Sequence, residues 1–463
     1  MKIKHYMAMC LSLVLVACND DNPSSSQSSA LNNDLIQAIE QVSDGEGLDA
    51  FILPASDDFG SIPQDPNNTL TAEKVVLGQM LYHETALATE GVSDREGTWS
   101  CASCHHAAAG FKAGVPQGIA EGGEGFGSAG EGRTFATGFD GEASDPALKP
   151  DIQPVTSPAV LNVAYQDVML WNGQFGNTVD GIVNSNLAAN TLATEGTPKA
   201  HNNRQLSGLE IQAIAGTGVH RLSTTNDSIL QTNSQYQALF DAAYPSGSND
   251  VLEDAGKAIA AFERTIFANQ APFQKWLKGD AMAMSDQEKR GALLFFGEAG
   301  CVACHTSPAL SSKIDATENE IFFAIGFSDF DPNDLQVSGV VDDATSRGRG
   351  GFTGNAIDDY KFKVPQLYNL ADTSIFGHGA SFRSIKDVVK YKNTAVSQKP
   401  LPEGKLDSLF QPLNLDEKEI DDMVAFLTTA LHDDDLKRYV PASTPSGQCS
   451  PVNDAISRSD LGC

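Results

Sequence analysis

Residues 98–111 read TWSCASCHHAAAGF, and residues 297–310 read GEAGCVACHTSPAL. In each stretch two cysteines stand three positions apart, with a histidine directly after the second. These are Cys101, Cys104 and His105 in the first motif, and Cys301, Cys304 and His305 in the second. The pattern is compatible with a redox-active disulfide, with half of a zinc site, or with covalent attachment of a haem.

The spacing favours haem over the other two. A zinc site needs a second ligand pair at finger-like spacing, and 200 residues separate the two motifs. A thioredoxin-like disulfide does not require a histidine after both copies of the motif. Thioether bonds to the haem vinyl groups need this cysteine spacing, and the adjacent histidine then supplies the proximal iron ligand. The sequence therefore predicts two covalently bound haem c groups.

The first residues predict export. In MKIKHYMAMCLSLVLVACND, two lysines precede an apolar run that is too short to cross a bilayer as a stable helix. Leu15 to Cys18 resembles a bacterial lipobox, which implies that residues 1–17 are a signal peptide and that Cys18 carries lipid, tethering the protein to a membrane. The alternative is an ordinary secretory signal with an incidental cysteine. Residues 18–50 then form the lipidated start and a tether, predicted to be flexible from Asn19 to about Asn33 because it is rich in Ser, Asn and Asp.

Charge and cysteine usage narrow the class of protein. The formal net charge of -29 argues against nucleic acid as a partner. The acidic surface either attracts a basic protein partner or keeps the protein soluble. Cys10 leaves with the leader. Cys449 and Cys463 lie in a tail rich in Pro and Ser, residues 441–463, and we expect them to form a disulfide in an oxidising compartment. No thiol is left over.

Helical patterns dominate the rest of the chain, so the predicted fold class is mainly α. Ser285 and Glu288 form a capping box for a helix that Gly297 ends. Apolar residues from Leu252 to Ile266 recur at spacings of three and four, which predicts an amphipathic helix with its charges outside. Asn414 with Glu417 predicts the start of another helix. The glycine-rich segment 110–158 is predicted to be loop, and residues 173–208 a functional flap or a mobile insertion.

Several stretches between Val76 and Leu431 resemble the bacterial dihaem cytochrome c peroxidase family, which includes MauG-like members. They are LGQMLYHETAL, TSPAVLNVAY, GLEIQA, AIAAFERTIF, APFQKWLKGD, ALLFFGEAGCVACH, FKVPQLYNLADT, FGHGASFRSIKDVV and FQPLNLDEKEIDDMVAFL. The resemblance implies two cytochrome c-like helical haem domains with long loops, residues 51–280 and 281–440. It also implies that hydrogen peroxide reacts at the first haem, while the second relays electrons from a small cytochrome c or copper protein in the periplasm.

At the first haem, some members carry a displaceable histidine ligand in the loop after the motif. This chain has no histidine between Ala107 and Ala200, and His106 directly follows the proximal residue. We therefore interpret His106 as a loop residue and expect an open first iron.

The family pattern also places a distal glutamine and, ten residues later, a proton-transferring glutamate. Gln212 matches the glutamine, but no glutamate follows at that distance. His220 is the candidate replacement, because imidazole titrates near neutrality. Arg221 could stabilise negative charge on the leaving oxygen. The alternative is that both are surface residues of a loop.

At the second haem, the family ligand is a Met or a Tyr on the helix after the turn at His378. An ungapped count places Lys392 there, and Ile385, Val389 and Lys392 share one helical stripe. Tyr391 is the alternative ligand, and a solvent-directed lysine is the third reading.

Two further roles are implied by the resemblance. Trp171 matches an aromatic residue that relays electrons between the haems, although a buried core tryptophan would give the same sequence. Thr156 and Thr373 match positions at an interdomain calcium site, but the asparagine expected at Thr156 is missing. The leading hypothesis is thus a dihaem peroxidase. The alternatives are a MauG-like oxidase of protein side chains and a non-catalytic electron carrier.

Overall fold

The computed structural model describes residues 23–141, 143–176, 194–225, 228–334, 336–339 and 341–463. The predicted signal peptide and Cys18 lie outside these ranges, as does the middle of the polar segment predicted at residues 173–208.

The described chain is mainly helical, as predicted. The helices are α1 (Pro23–Val42), α2 (Ala72–His83), α3 (Gly208–Val219), α4 (Ile229–Thr232), α5 (Ser234–Ala243), α6 (Val251–Glu263), α7 (Pro272–Leu277), α8 (Asp286–Phe296), α9 (Glu318–Ile321), α10 (Asp343–Ser346), α11 (Arg349–Thr353), α12 (Ile385–Thr394), α13 (Glu417–Ala425) and α14 (Ala455–Leu461). Two short antiparallel ladders pair β1 (Gly123–Glu124) with β2 (Thr134–Phe135), and β3 (Phe322–Phe323) with β4 (Phe362–Lys363).

Helices α2 and α6 cross in close contact in the first half of the chain. A Cβ atom at Gly78 would lie 1.8 Å from the carbonyl oxygen of Ala258, so only glycine permits this approach. Leu77, Leu81 and Phe262 are buried at the crossing. The amphipathic helix predicted over 252–266 is therefore present, although it ends at Glu263.

The second half contains an equivalent crossing of α8 and α13. A Cβ atom at Gly291 would lie 2.0 Å from the carbonyl oxygen of Asp422. The capping box of Ser285 and Glu288 is confirmed. The start predicted for α13 was wrong by two residues, because Asn414 has a positive φ of 59° and the capping box is instead formed by Asp416 and Glu419.

The flexible tether predicted from Asn19 to about Asn33 is wrong from Pro23 onward, where α1 begins. Leu35 and Ile39 of this helix are fully buried, and Asn32 accepts a hydrogen bond from Nε1 of Trp276 at 2.8 Å. The first turns of α1 are polar, so composition alone did not indicate a helix. Its apolar residues recur at a spacing of four and pack on α8. Among the described helices, none is both long and apolar enough to span a membrane.

Segments from each half of the chain pack against the other half, across the domain boundary predicted near Asp280. Phe273 of α7 contacts Phe296 and Phe426 in the second half, so α7 packs there together with α1. The tail returns to the first half, and its predicted disulfide between Cys449 and Cys463 is confirmed. One hydrophobic cluster consequently extends through both halves, from Leu35 to Tyr439.

Candidate functional site

The first motif forms one wall of a cavity of about 230 Å³. Residues 101–103 form a 3₁₀ turn, and the hydroxyl of Tyr82 donates to the carbonyl oxygen of His105 at 2.5 Å. Cys101, Cys104 and His105 all line the cavity. A Cβ atom at Gly118 would lie 2.9 Å from Cys104 Sγ, so the glycine keeps the approach to that sulfur open.

The second motif repeats this local structure. Residues 301–303 form a 3₁₀ turn, and Nδ1 of His305 lies 2.6 Å from the carbonyl oxygen of Leu310. Because a carbonyl can only accept, Nδ1 carries the proton and Nε2 is left with its lone pair for a metal. This is the arrangement that a proximal haem ligand requires.

The chemistry of the motif residues fits haem attachment better than a redox or zinc site. The four motif thiols are free rather than paired within their motifs. Burial raises the pKa of Cys101, Cys104 and Cys301 to about 12, whereas reactive or metal-binding cysteines need a lowered pKa. Burial also lowers the pKa of His105 and His305 to about 4, which keeps both imidazoles neutral, the form that binds iron.

Helix α3 brings Gln212 and His220 to the same cavity as the first motif. With Gly216 they are spaced four residues apart, which places all three on one face, and all three line the cavity. Trp99, in the quoted first stretch, fixes the end of α3, because its Nε1 donates to the carbonyl oxygen of His220 at 2.8 Å. The structure thus brings together the two distal residues that were predicted.

Asp151 completes this distal group and was missed by the sequence analysis. Its Oδ2 lies 2.9 Å from Nδ1 of His220, its side chain is 5% exposed, and it lines the cavity. Burial alone would lower the pKa of His220, but the charge and hydrogen bond of Asp151 outweigh burial and raise it. No local pattern marks Asp151, since 69 residues of chain separate it from His220.

The catalytic role predicted for Arg221 finds no support in the described geometry and stays a prediction. Arg221 follows the end of α3 and has a positive φ of 54°. Its guanidinium forms an ion pair with the fully buried carboxylate of Glu121, and Arg221 does not line the cavity. The carboxylate of Glu121 therefore neutralises the positive charge of Arg221 outside the cavity.

Glu263 is the second cavity residue that the sequence analysis missed. The helix predicted there was expected to have its charges outside, yet Glu263 is 4% exposed and lines the cavity. Its Oε2 has no hydrogen-bond partner among the described residues. Burial, with the nearby charge of Glu210, raises the pKa of Glu263 to about 8, so the acid is uncharged at neutral pH.

His106 holds the loop, as interpreted from the sequence. Its Nε2 lies 2.9 Å from the carbonyl oxygen of Ala129, and its ring packs edge-on against Phe126. It is buried and does not line the cavity.

Trp171 lies between the first cavity and the second half of the chain. It lines the cavity, its Nε1 donates to the carbonyl oxygen of Thr156 at 2.9 Å, and its ring meets that of His378 at 6.2 Å. Its own carbonyl accepts from the backbone of Lys363 at 2.8 Å. It is only partly buried, unlike the core residue Trp99.

On α12, Lys392 and Tyr391 point to different surroundings. Nζ of Lys392 lies 5.4 Å from the ring centre of Phe410. Burial raises the pKa of Cys301 and Cys304, and the nearby charge of Lys392 offsets only part of that rise. The hydroxyl of Tyr391 donates to the carbonyl oxygen of Ile325.

The calcium prediction finds no support in the geometry. The hydroxyl of Thr156 donates to the carbonyl oxygen of Gly377 at 3.1 Å, and its carbonyl is taken by Trp171. The hydroxyl of Thr373 accepts from the backbone of Ile375. Within the described ranges, no three His, Cys, Asp or Glu side chains are gathered as metal ligands. Calcium at Thr156 and Thr373 stays a prediction.

Helical packing around two Cys-x-x-Cys-His turns, each with a partly buried, neutral histidine, is typical of c-type dihaem proteins. The model of the di-haem cytochrome c peroxidase family matches residues 72–282, which include the first motif. Over this range the chain is similar to the family.

Two curated relatives align over most of their length. Cytochrome-c peroxidase IdrP1 of Denitromonas iodatirespirans is 27% identical over 83% of this chain and 90% of its own. Methylamine utilization protein MauG of Methylorubrum extorquens is 27% identical over 80% of this chain and 81% of its own. A solved MauG-like protein associated with microbial copper homeostasis shares the fold, with a TM-score of 0.57 and 22% identity over 83% of this chain and 95% of that one.

Proposed function

We propose that the protein is a dihaem c-type peroxidase that reduces hydrogen peroxide at the first motif. The observation that carries this proposal is the single cavity in which Cys101, Cys104 and His105 meet His220 with its Asp151 partner. Similarity to the di-haem cytochrome c peroxidase family over residues 72–282 supports it, and relatives of both the peroxidase and the MauG kind match the chain.

When bound, haem supplies an iron that binds peroxide and accepts electrons. The chain supplies proton transfer. Because the Asp151 carboxylate accepts at Nδ1, His220 is held with its proton there and with Nε2 free. Nε2 takes a proton from the bound peroxide and returns it to the leaving oxygen, so that two electrons and two protons convert peroxide to two water molecules. Gln212, on the same face of α3, orients the peroxide by hydrogen bonding.

Electron entry is assigned to the second motif. Two cytochrome c-like haem domains, residues 51–280 and 281–440, are part of the proposal, and the equivalent crossings at Gly78 and Gly291 support them. Trp171 relays electrons to the first haem, since it lines the first cavity and contacts His378 of the second half.

The electron donor is a small cytochrome c or copper protein, and the net charge of -29 favours a donor with a basic surface. We place the protein in the periplasm, anchored through lipid on Cys18. This placement rests on the leader sequence alone.

Steady-state reduction of peroxide with a reduced small cytochrome c tests the proposal. We expect His220→Ala to lower turnover by roughly 100-fold or more, because it removes the proton acceptor. His201→Ala is the matched control, since His201 lies outside the cavity. Equal activity of both variants would remove His220 from the reaction, and absence of turnover in the wild type would overturn the peroxidase assignment.

A MauG-like oxidase is the second candidate. The lack of a displaceable histidine ligand favours it. Residues 107–200 contain no histidine, and Nε2 of His106 is engaged by the carbonyl oxygen of Ala129. Mass spectrometry of an exported partner protein after peroxide treatment would separate the two functions, because only the oxidase adds or crosslinks side-chain atoms.

A further inference from the structure

Helix α12 presents its lysines to two different environments. Lys386 and Lys390 form ion pairs with Asp421 and Glu417 respectively, at 2.6 and 3.0 Å, on the face that meets the start of α13. Lys392 lies instead on the stripe of Ile385 and Val389, both of which are buried. Lys390 is therefore directed to solvent, whereas Lys392, two residues later, is directed inward.

The amine of Lys392 has no polar partner in the described structure. Its Nζ lies over the rings of Phe410 and Phe327, at 5.4 and 5.9 Å from their centres. No described residue forms a hydrogen bond or ion pair with it, and Asp407 acts on it only at a distance. Burying part of an amine without a hydrogen-bond acceptor costs free energy, unless a bound group interacts with the nitrogen.

The second motif lies next to this amine. Lys392 interacts electrostatically with Cys301, Cys304 and His305, so its amine lies close to all three. The unpartnered nitrogen therefore lies where a haem attached to this motif would be held.

The competing ligands near the motif are engaged elsewhere. The phenol of Tyr391 donates to the carbonyl oxygen of Ile325. His378 is paired with Asp329 at 3.1 Å and stacks on Phe362 at 3.7 Å.

We propose that Nζ of Lys392 is the sixth ligand of the haem iron whose proximal ligand is His305. This inference rests on the proposed function only in assigning a haem to the second motif. A nitrogen ligand on each face closes the second iron to peroxide, which confines peroxide binding to the first cavity. With both axial positions occupied, the second haem can transfer electrons but cannot bind peroxide.

Electron paramagnetic resonance of the ferric holoprotein tests the ligand. We expect the low-spin signal of one haem per chain to be lost in Lys392→Ala, with a high-spin signal in its place. Lys390→Ala and Tyr391→Phe should leave the wild-type signals unchanged. Lys392→Met should keep the second haem low-spin and raise its midpoint potential, because a thioether ligand favours ferrous iron.

An unchanged low-spin signal in Lys392→Ala, or its loss in Tyr391→Phe, would overturn the inference. Intact mass showing two haems in each variant ensures that the spectra report ligation rather than haem loss. If Lys392→Ala does not fold, Lys392→Met decides the question, since an unchanged midpoint potential would refute the ligand. Failure of peroxide turnover in the wild type would affect the proposed function and leave these spectra valid.

Discussion

At the residue scale, the distal site depends on the contact between His220 and Asp151. Asp151 raises the pKa of His220, whereas burial and the neighbouring charge of Arg221 lower it. Because only neutral His220 can accept a proton from peroxide, turnover should fall as the pH drops through this raised pKa. Sequence reasoning identified His220 because imidazole chemistry is recognisable by residue type. It missed Asp151, whose role exists only through a contact across the fold.

Asp151→Asn tests this contact by removing the charge while keeping the shape of the side chain. We expect turnover at neutral pH to fall by about 10-fold or more, since the imidazolium formed during the reaction loses its counter-charge. The acid limb of the pH profile should move to lower pH, because the pKa of His220 is no longer raised. Pre-steady-state peroxide binding measured across pH would show this shift, and an acid limb that stays in place would refute the role of Asp151.

Glu263 makes a separate prediction about stability. Its pKa is about 8 in the folded protein against 4.5 as its ordinary value, so the folded state holds this proton more tightly. Stability from this group is fully present below pH 4.5 and is lost as the pH rises toward 8, at about 1.4 kcal/mol per pH unit.

Glu263→Gln removes this pH dependence. The free energy of unfolding of the variant, relative to wild type, should therefore increase between pH 5 and pH 8. Denaturant titrations of the haem-loaded proteins measure it, with Glu73→Gln on the exposed face of α2 as the control. Parallel pH profiles for wild type and Glu263→Gln would contradict the raised pKa.

At the scale of elements, α3 acts as the distal wall because Gly216 leaves room between Gln212 and His220. A Cβ atom at Gly216 would lie 3.5 Å from Nε2 of Gln212 and 4.0 Å from Cδ2 of His220, which are ordinary contacts. One methyl group therefore fits, and larger side chains must extend into the cavity.

Substitutions at Gly216 should separate stability from activity. We expect Gly216→Ala to stabilise the protein by roughly 0.5–1 kcal/mol with near-normal turnover. Gly216→Val should lower kcat/KM for peroxide by about 10-fold by displacing the peroxide from His220. Gly218→Val on the exposed side of the same helix is the control, because nothing lies within 4 Å of its Cβ position. Equal kinetics at the two positions would mean that this face of α3 does not meet the substrate.

Elements with strong local signals were predictable from the sequence. The box of Ser285 and Glu288 located α8 because capping depends on neighbours three residues apart. The start of α13 was misplaced because the choice between Asn414 and Asp416 depends on backbone conformation that composition does not reveal. Helix α1 was missed for another reason: its polar residues cover an apolar stripe whose partner, α8, lies more than 240 residues away.

At the scale of the whole molecule, the tail ties the end of the chain to the first motif. The hydroxyls of Ser100 and Ser103 both donate to the carbonyl oxygen of Pro451 at 2.9 Å. Asp454 forms a buried ion pair with Arg133 at 3.1 Å. The disulfide was predictable from cysteine counting, but nothing in the sequence indicates that the loop it closes lies against the first haem site.

Replacing both tail cysteines, Cys449→Ser with Cys463→Ser, should reduce the free energy of unfolding by about 2–4 kcal/mol. Among the described residues, the tail hydrogen-bonds through Pro451 to the first motif turn and forms no hydrogen bond with the second. The optical spectrum of the first haem should therefore change while that of the second stays the same. Denaturant unfolding combined with spectra of each haem measures both effects. Equal perturbation of the two haems would contradict the placement of the tail.

The central claim is that one iron is open in the first cavity and the other is closed. Quantitative electron paramagnetic resonance of the resting ferric protein, before and after one equivalent of peroxide, tests it most directly. We predict one high-spin and one low-spin haem per chain, with the high-spin signal lost when peroxide is added. Two low-spin haems that do not respond to peroxide would contradict the account and identify an electron carrier.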